Sequence, residues 1–172
     1  MGRPKIVAGN WKMNLSISEG QKLAEDIHKY SQLHLPGTNV KVIVFPPFTH
    51  LSTVGWVLKE SEVKLGAQDC HFEQNGAFTG DVSAPMIAGT GATYCMIGHS
   101  EHRANYNEPN RIINAKLQAI LRQNMTPILC FGETASEKKA GKTNDVIQKQ
   151  LNEGLAGISR DQISKIILAY EP

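Results

Sequence analysis

Short, nearly unbroken apolar runs alternate along this chain with longer stretches in which apolar residues recur every three or four positions. The runs are Ile6–Gly9, Val40–Phe45, Val63–Ala67, Tyr94–Gly98, Ile128–Phe131 and Ile166–Tyr170. Each has strand length and lacks the alternation of a sheet with one wet face. They predict strands covered on both sides, as in parallel sheets. Between them, Leu23, Ile27 and Tyr30 form a helical stripe, as do Leu51, Val54 and Leu58. Further stripes are Ile113, Leu117, Ile120 and Leu121, then Ile147, Leu151 and Leu155. A turn-rich stretch, Gln74 to Asp81, leads to Ser83, a residue suited to capping a short helix. The recurring unit is therefore strand then helix, with no linker, low-complexity tract or sequence-level repeat.

Repeated βα units imply right-handed crossovers and a parallel α/β sheet. Two architectures fit: an open doubly wound sheet, or a (β/α)8 barrel of which about six units are present. An open dinucleotide-binding sheet carries a Gly-rich turn after its first strand. Here that turn is Gly9-Asn10-Trp11-Lys12-Met13-Asn14, without those glycines. Gly89-Thr90-Gly91 precedes a strand and reads as a helix-to-strand connection. Periodicity alone does not separate the two architectures, but it leans towards the barrel.

Composition adds bounds. The 172 residues are 41% hydrophobic and 20% charged, which fits one domain spanning 1–172. A formal net charge of +2 from scattered Lys and Arg predicts neither a nucleic-acid nor a membrane-surface partner. The longest apolar run is too short to span a bilayer. Met1-Gly2-Arg3-Pro4-Lys5 enters the first strand without a signal-peptide core, so a cytoplasmic location is expected. Cys70, Cys95 and Cys130 lie in or beside apolar runs, without metal-ligand spacing, and read as buried reduced thiols. The glycosylation patterns at Asn14 and Asn124 then read as chance matches.

In both architectures ligands sit at the C-terminal ends of the strands. The polar residues collect there: Asn10 and Lys12 after the first strand, Gln68 after the third, and His99 after the fourth. Glu133 follows the fifth and Glu171 the sixth. A Lys, a His and a carboxylate on one rim can perform acid–base chemistry. Each also has a plainer reading. Lys12 can be a solvated loop lysine, Asn10 a turn residue, His99 a structural histidine, Glu101 a helix-start charge and Glu171 a frayed carboxylate. His28, His34, His50 and His71 read as surface residues. Ser100 is a good N-cap, and a helix start beside His99 disfavours its imidazolium. A neutral ring can donate a hydrogen bond to a carbonyl oxygen while a separate carboxylate takes the proton.

The segments Ala8-Gly9-Asn10-Trp11-Lys12-Met13-Asn14, Gly76-Ala77-Phe78-Thr79-Gly80 and Ile97-Gly98-His99-Ser100-Glu101 resemble the triosephosphate isomerase family. So do Cys130-Phe131-Gly132-Glu133 and Ala169-Tyr170-Glu171-Pro172, in the family's order. The resemblance implies a barrel enzyme interconverting dihydroxyacetone phosphate and D-glyceraldehyde 3-phosphate through an enediolate, without metal or organic cofactor. It implies Glu171 as the base, neutral His99 as the electrophile, Lys12 as positive charge for the substrate and Asn10 as an orienting group; this enzyme's pKa tuning is an established example of such chemistry. Glu101 and Ser100 would support them. The loop around Phe78 and Thr79 would enter a second subunit, giving a homodimer. Two departures stand out: His102 replaces the first of the family's usual two arginines, and the family's chain continues for about two more βα units. The expectation is a fragment, weakly active or inactive alone. The alternative is a non-catalytic truncated barrel that binds full-length or complementing subunits.

Overall fold

The computed structural model describes residues 4–172; Met1, Gly2 and Arg3, part of the lead-in that bears on a signal peptide, lie outside the described residues. The elements are β1 (Lys5–Asn10), α1 (Ile17–His34), β2 (Val40–Phe45), α2 (Leu51–Val57), β3 (Lys64–Ala67) and α3 (Ala84–Ala88). They continue with β4 (Tyr94–Ile97), α4 (Ser100–Tyr106), α5 (Asn110–Arg122), β5 (Thr126–Phe131), α6 (Ala135–Lys139), α7 (Thr143–Gly154), α8 (Arg160–Ile163) and β6 (Ile167–Tyr170). All six predicted strands form within a few residues of their apolar runs.

Two compact units make up the chain. The first runs to Gln68 and includes Pro85–Cys95. Its strands β1, β2, β3 and the start of β4 are parallel neighbours in chain order. The β1–β2 register sets Asn10 opposite Phe45, so the strand ends that carry polar loops are level. Ile43, Phe45, Leu51, Val54, Val63 and Leu65 fill this core. The Leu51–Val54–Leu58 stripe is buried as its period requires.

The α1 stripe is different. Leu23 and Tyr30 are exposed, and the buried positions are Gly20, Ala24 and Ser31. A Cβ at Gly20 would overlap the His50 ring, so small residues let α1 approach closely. His50 itself is buried, contrary to its surface reading, and its Nδ1 shares a 2.8 Å hydrogen bond with Thr49 Oγ1.

The second unit joins Asp69–Ala84 to Met96–Pro172. Here β5 and β6 are parallel, with Phe131 opposite Tyr170. Ile113, Leu117 and Ile120 of α5 are buried, as the stripe predicts. Coverage on both faces holds for most of β2 to β5 but fails elsewhere: β1 is largely exposed along Lys5–Ala8, and Leu168 and Tyr170 of β6 are exposed. Ser83 precedes α3, but its buried Oγ has no hydrogen-bond partner among the described residues, so the expected side-chain cap is not made.

Candidate active site

The sharpest geometry lies between the ends of β4 and β6. Gly98 turns the chain out of β4 with φ of +68°, a left-handed conformation that favours glycine. The next residue, His99, is the N-cap of α4 in place of Ser100, which is the first helical residue. An imidazole nitrogen can cap a helix as a hydroxyl does, provided it carries a lone pair. Nδ1 accepts the Glu101 N–H at 3.2 Å. That bond assigns the neutral ring's proton to Nε2.

Nε2 lies 2.9 Å from Glu171 Oε1. The other carboxylate oxygen, Oε2, accepts the Ser100 N–H at 3.0 Å. Glu171 is thus held by an imidazole N–H and by an orphan donor of the helix start, where negative charge is favoured. His99 is 14% and Glu171 30% exposed in their side chains, so the pair is sheltered but reachable. The Glu101 carboxylate stands 3.6 Å from Nδ1, and that residue's backbone makes the capping bond.

The backbone under Glu171 is fixed too. Its N–H donates to the Phe131 carbonyl at 2.8 Å. A Cβ on Gly132 would overlap the Glu171 carbonyl oxygen, so this approach needs glycine. A cavity of about 300 Å³ opens alongside, lined by Ser100, Phe131, Gly132, Gln150 and Glu171 among others. Gln150 Nε2 donates to the Gly132 carbonyl and its Oε1 accepts the Gly132 N–H, both at 2.9 Å, which pins the β5 end.

Arg103 ties α4 down. Its guanidinium donates to the Gly98 carbonyl at 2.8 Å, to Asn110 Oδ1 at 2.6 Å and to the Cys130 carbonyl at 3.3 Å. Burial lowers its pKa against the pull of Glu108. Burial also pushes the Cys130 thiol up to about 12, with the Glu171 charge adding to it. All three cysteines are buried and outside any disulfide, as the sequence predicts.

Glu133 lines the same cavity, but its carboxylate is engaged within the fold. It is buried and accepts from Tyr170 Oη at 2.9 Å and Thr143 Oγ1 at 3.1 Å, bracing β6 against β5. A backbone hydrogen bond, assisted by those hydroxyls, holds its carboxyl below the ordinary glutamate value despite burial.

In the first unit Asn10 and Lys12 are neighbours by hydrogen bonding. Asn10 Oδ1 accepts the Lys12 N–H at 2.9 Å, and Lys12 adopts φ of +54°. Such a φ is strained for a side-chain-bearing residue and persists where surroundings enforce it. Gln68 Nε2 supplies part of that enforcement, donating to the carbonyls of Lys12 and Phe45 at 2.8 Å each. Three strand ends are thereby tied together. The Lys12 side chain is exposed.

The 71–83 loop folds back on itself. The His71 ring stacks on Phe72 at 4.3 Å and meets Phe78 at 4.2 Å, so His71 is engaged where the sequence reads as a bare surface histidine. Phe78 remains 41% exposed, and Thr79 is exposed.

A buried ionic cluster in the second unit is not legible in the sequence. Lys116 Nζ bonds Asp69 Oδ1 and Oδ2 at 2.8 and 2.7 Å, and also bonds Glu108 Oε1. Burial works against the Lys116 charge, but the two carboxylates hold its pKa above the ordinary lysine value. Asp69, His102 and Glu108 place ligand-type atoms within 4.8 Å of one another. The Lys116 ammonium already takes the cation position among them.

Against this geometry the comparisons are concordant. The triosephosphate isomerase family model matches residues 5–172. Triosephosphate isomerase of Alkaliphilus metalliredigens is 44% identical over 170 residues, covering 99% of this chain and 67% of that one. The Clostridium acetobutylicum enzyme is 43% identical with the same coverage. A crystal structure of triosephosphate isomerase from Bartonella henselae superposes with a TM-score of 0.86 at 37% identity, covering 99% of this chain and 68% of that one. The chain thus spans about two thirds of the length of the relatives it matches, and its fold is that of an incomplete (β/α)8 barrel. By sequence and by fold, this chain belongs to the triosephosphate isomerase family.

Proposed function

We propose that the chain carries the machinery for interconverting dihydroxyacetone phosphate and D-glyceraldehyde 3-phosphate through an enediolate. The observation that carries this reading is the His99–Glu171 pair, with Nδ1 capped by the Glu101 N–H and Nε2–H directed to the carboxylate. Glu171 removes a proton from the carbon beside the substrate carbonyl and returns it to the adjacent carbon. During the step the carbonyl oxygen gains negative charge, and the His99 Nε2–H donates to it. Developing charge met by a preplaced donor is the largest single source of such rate enhancement. Lys12 supplies positive charge and Asn10 orients oxygens, as the family resemblance implies. Before substrate is attacked, Glu171 must release its present donors, because both of its carboxylate oxygens are occupied.

The homodimer, entered through the Phe78–Thr79 loop, a single domain and a cytoplasmic setting belong to the same reading. Exposed apolar side chains on β1 and β6 (Val7, Leu168 and Tyr170) favour a second one, a non-catalytic chain that binds full-length or complementing subunits. The two separate by assay. Isomerase turnover, alone or with a chain supplying the rest of the relatives' length, that falls by about 10²–10⁴-fold in Glu171→Gln supports the first. Stable association with full-length subunits and no turnover in any mixture supports the second.

A further inference from the structure

A cavity of about 560 Å³ lies in the first unit, lined by residues at the N-terminal ends of β3 and β4. Asn10 and Lys12 follow the C-terminal end of β1, at the opposite end of the same parallel strands. Neither they nor Gln68 line this cavity.

Its lining has a chemical character of its own. Trp56, at the end of α2, contributes an indole that is 77% exposed. Among the described residues that indole has neither a ring partner nor a hydrogen-bond acceptor, although buried contact is what normally repays so large an apolar surface. Lys59, three residues on, and Lys64, which opens β3, bring two ammonium groups. No carboxylate lines the cavity, and among the described residues neither lysine has an ion-pair partner. Glu60 is absent from the lining, and Glu62 lines a separate cavity with Lys41 and Lys64. Ser52 adds a hydroxyl. A Cβ on Gly55 would overlap the Thr90 carbonyl, so α2 rests directly on the Gly89–Gly91 turn and closes that wall.

We infer that this cavity is a second ligand site, one for a nucleoside phosphate. A flat base stacks on Trp56, the phosphates meet Lys59 and Lys64, and a sugar hydroxyl meets Ser52. Stacking on an exposed aromatic is tolerant of base identity, while paired lysines select for phosphate charge. The volume falls in the range of small-molecule pockets.

The chain has two tryptophans, so Trp11→Phe leaves Trp56 as the only tryptophan fluorophore. Titration of that variant with ADP is expected to quench the emission saturably. Calorimetry on the unsubstituted chain gives the same affinity without relying on Trp11→Phe folding. The double variant Lys59→Gln/Lys64→Gln is expected to weaken ADP binding about tenfold or more, Trp56→Leu likewise, and Lys12→Gln not at all. Inorganic phosphate alone, lacking a ring to stack, is expected to bind at least about tenfold more weakly than ADP. The inference is overturned by no saturable ADP binding in either measurement. It is equally overturned by binding that survives the double variant or follows Lys12.

Discussion

At the scale of single residues, Gly98, Gly132 and His99 shape the candidate site. His99 is assigned as the Nε2–H tautomer by the bond its Nδ1 accepts from Glu101. Long-range nitrogen–proton NMR should show Nδ1 unprotonated and Nε2 protonated, and a proton on Nδ1 would contradict the assignment. Replacing His99 by Gln removes a ring donor aimed at developing negative charge, and a rate loss of about 10²–10³-fold is expected. At Gly132, alanine would drive a methyl into the Glu171 carbonyl. Overpacking there should cost about 1–3 kcal/mol in denaturant unfolding, with activity falling further because the base is displaced. The places of His99, Glu171, Asn10 and Lys12 beyond strand ends were legible because each follows an apolar run of strand length, while the roles given them come from the family resemblance. The cap was misassigned to Ser100 because hydroxyls are the commoner caps, and nothing local to the sequence shows that an imidazole has taken that place. The Asp69–Lys116 contact spans 47 residues and was not legible, since its spacing carries no period.

At the scale of elements, α4 and β6 are braced by polar contacts rather than by deep burial. Arg103→Met would leave the Gly98 and Cys130 carbonyls and Asn110 without their shared donor. A loss of about 2–4 kcal/mol is expected, together with loosening of His99. For β6 the brace is Tyr170 on Glu133, and its pH window follows from two shifts. Glu133 titrates below its ordinary 4.5 in the fold, so its contribution is present above that value and is lost as pH falls through the lowered value. Tyr170 titrates above its ordinary 10.0, raised chiefly by its bond to Glu133, so its contribution is present below 10.0 and is lost as pH rises through the raised value. The stability difference between the unsubstituted chain and Tyr170→Phe should therefore be flat between about 4.5 and 10 and shrink on either side. A difference constant from acid to alkali would remove the brace from the account. Helix positions were readable because the 3.6 period is a backbone property, and strand positions because short unbroken apolar runs of strand length separate those stripes. The face α1 buries was not, because Gly20, Ala24 and Ser31 pack by being small and leave no hydrophobic stripe.

At the scale of the whole molecule, the family relation and the parallel strand order agree with the rhythm of the sequence, and the thiols report on the packing. Cys70, Cys95 and Cys130 are all buried, so a thiol reagent should label none of them until the chain unfolds. The strands' exposure could not be anticipated from apolar content, since coverage depends on neighbours rather than on the run itself. The proposed activity rests on proton abstraction by Glu171, and solvent exchange reads that step without requiring complete turnover. Dihydroxyacetone phosphate is incubated in heavy water with the chain, alone and together with a chain supplying the rest of the relatives' length, and deuterium at the hydroxymethyl carbon is followed by NMR. The account predicts enzyme-dependent incorporation at least about 100-fold above background, falling to background in Glu171→Gln. Incorporation unchanged by that substitution, or none above background in either incubation, would contradict it.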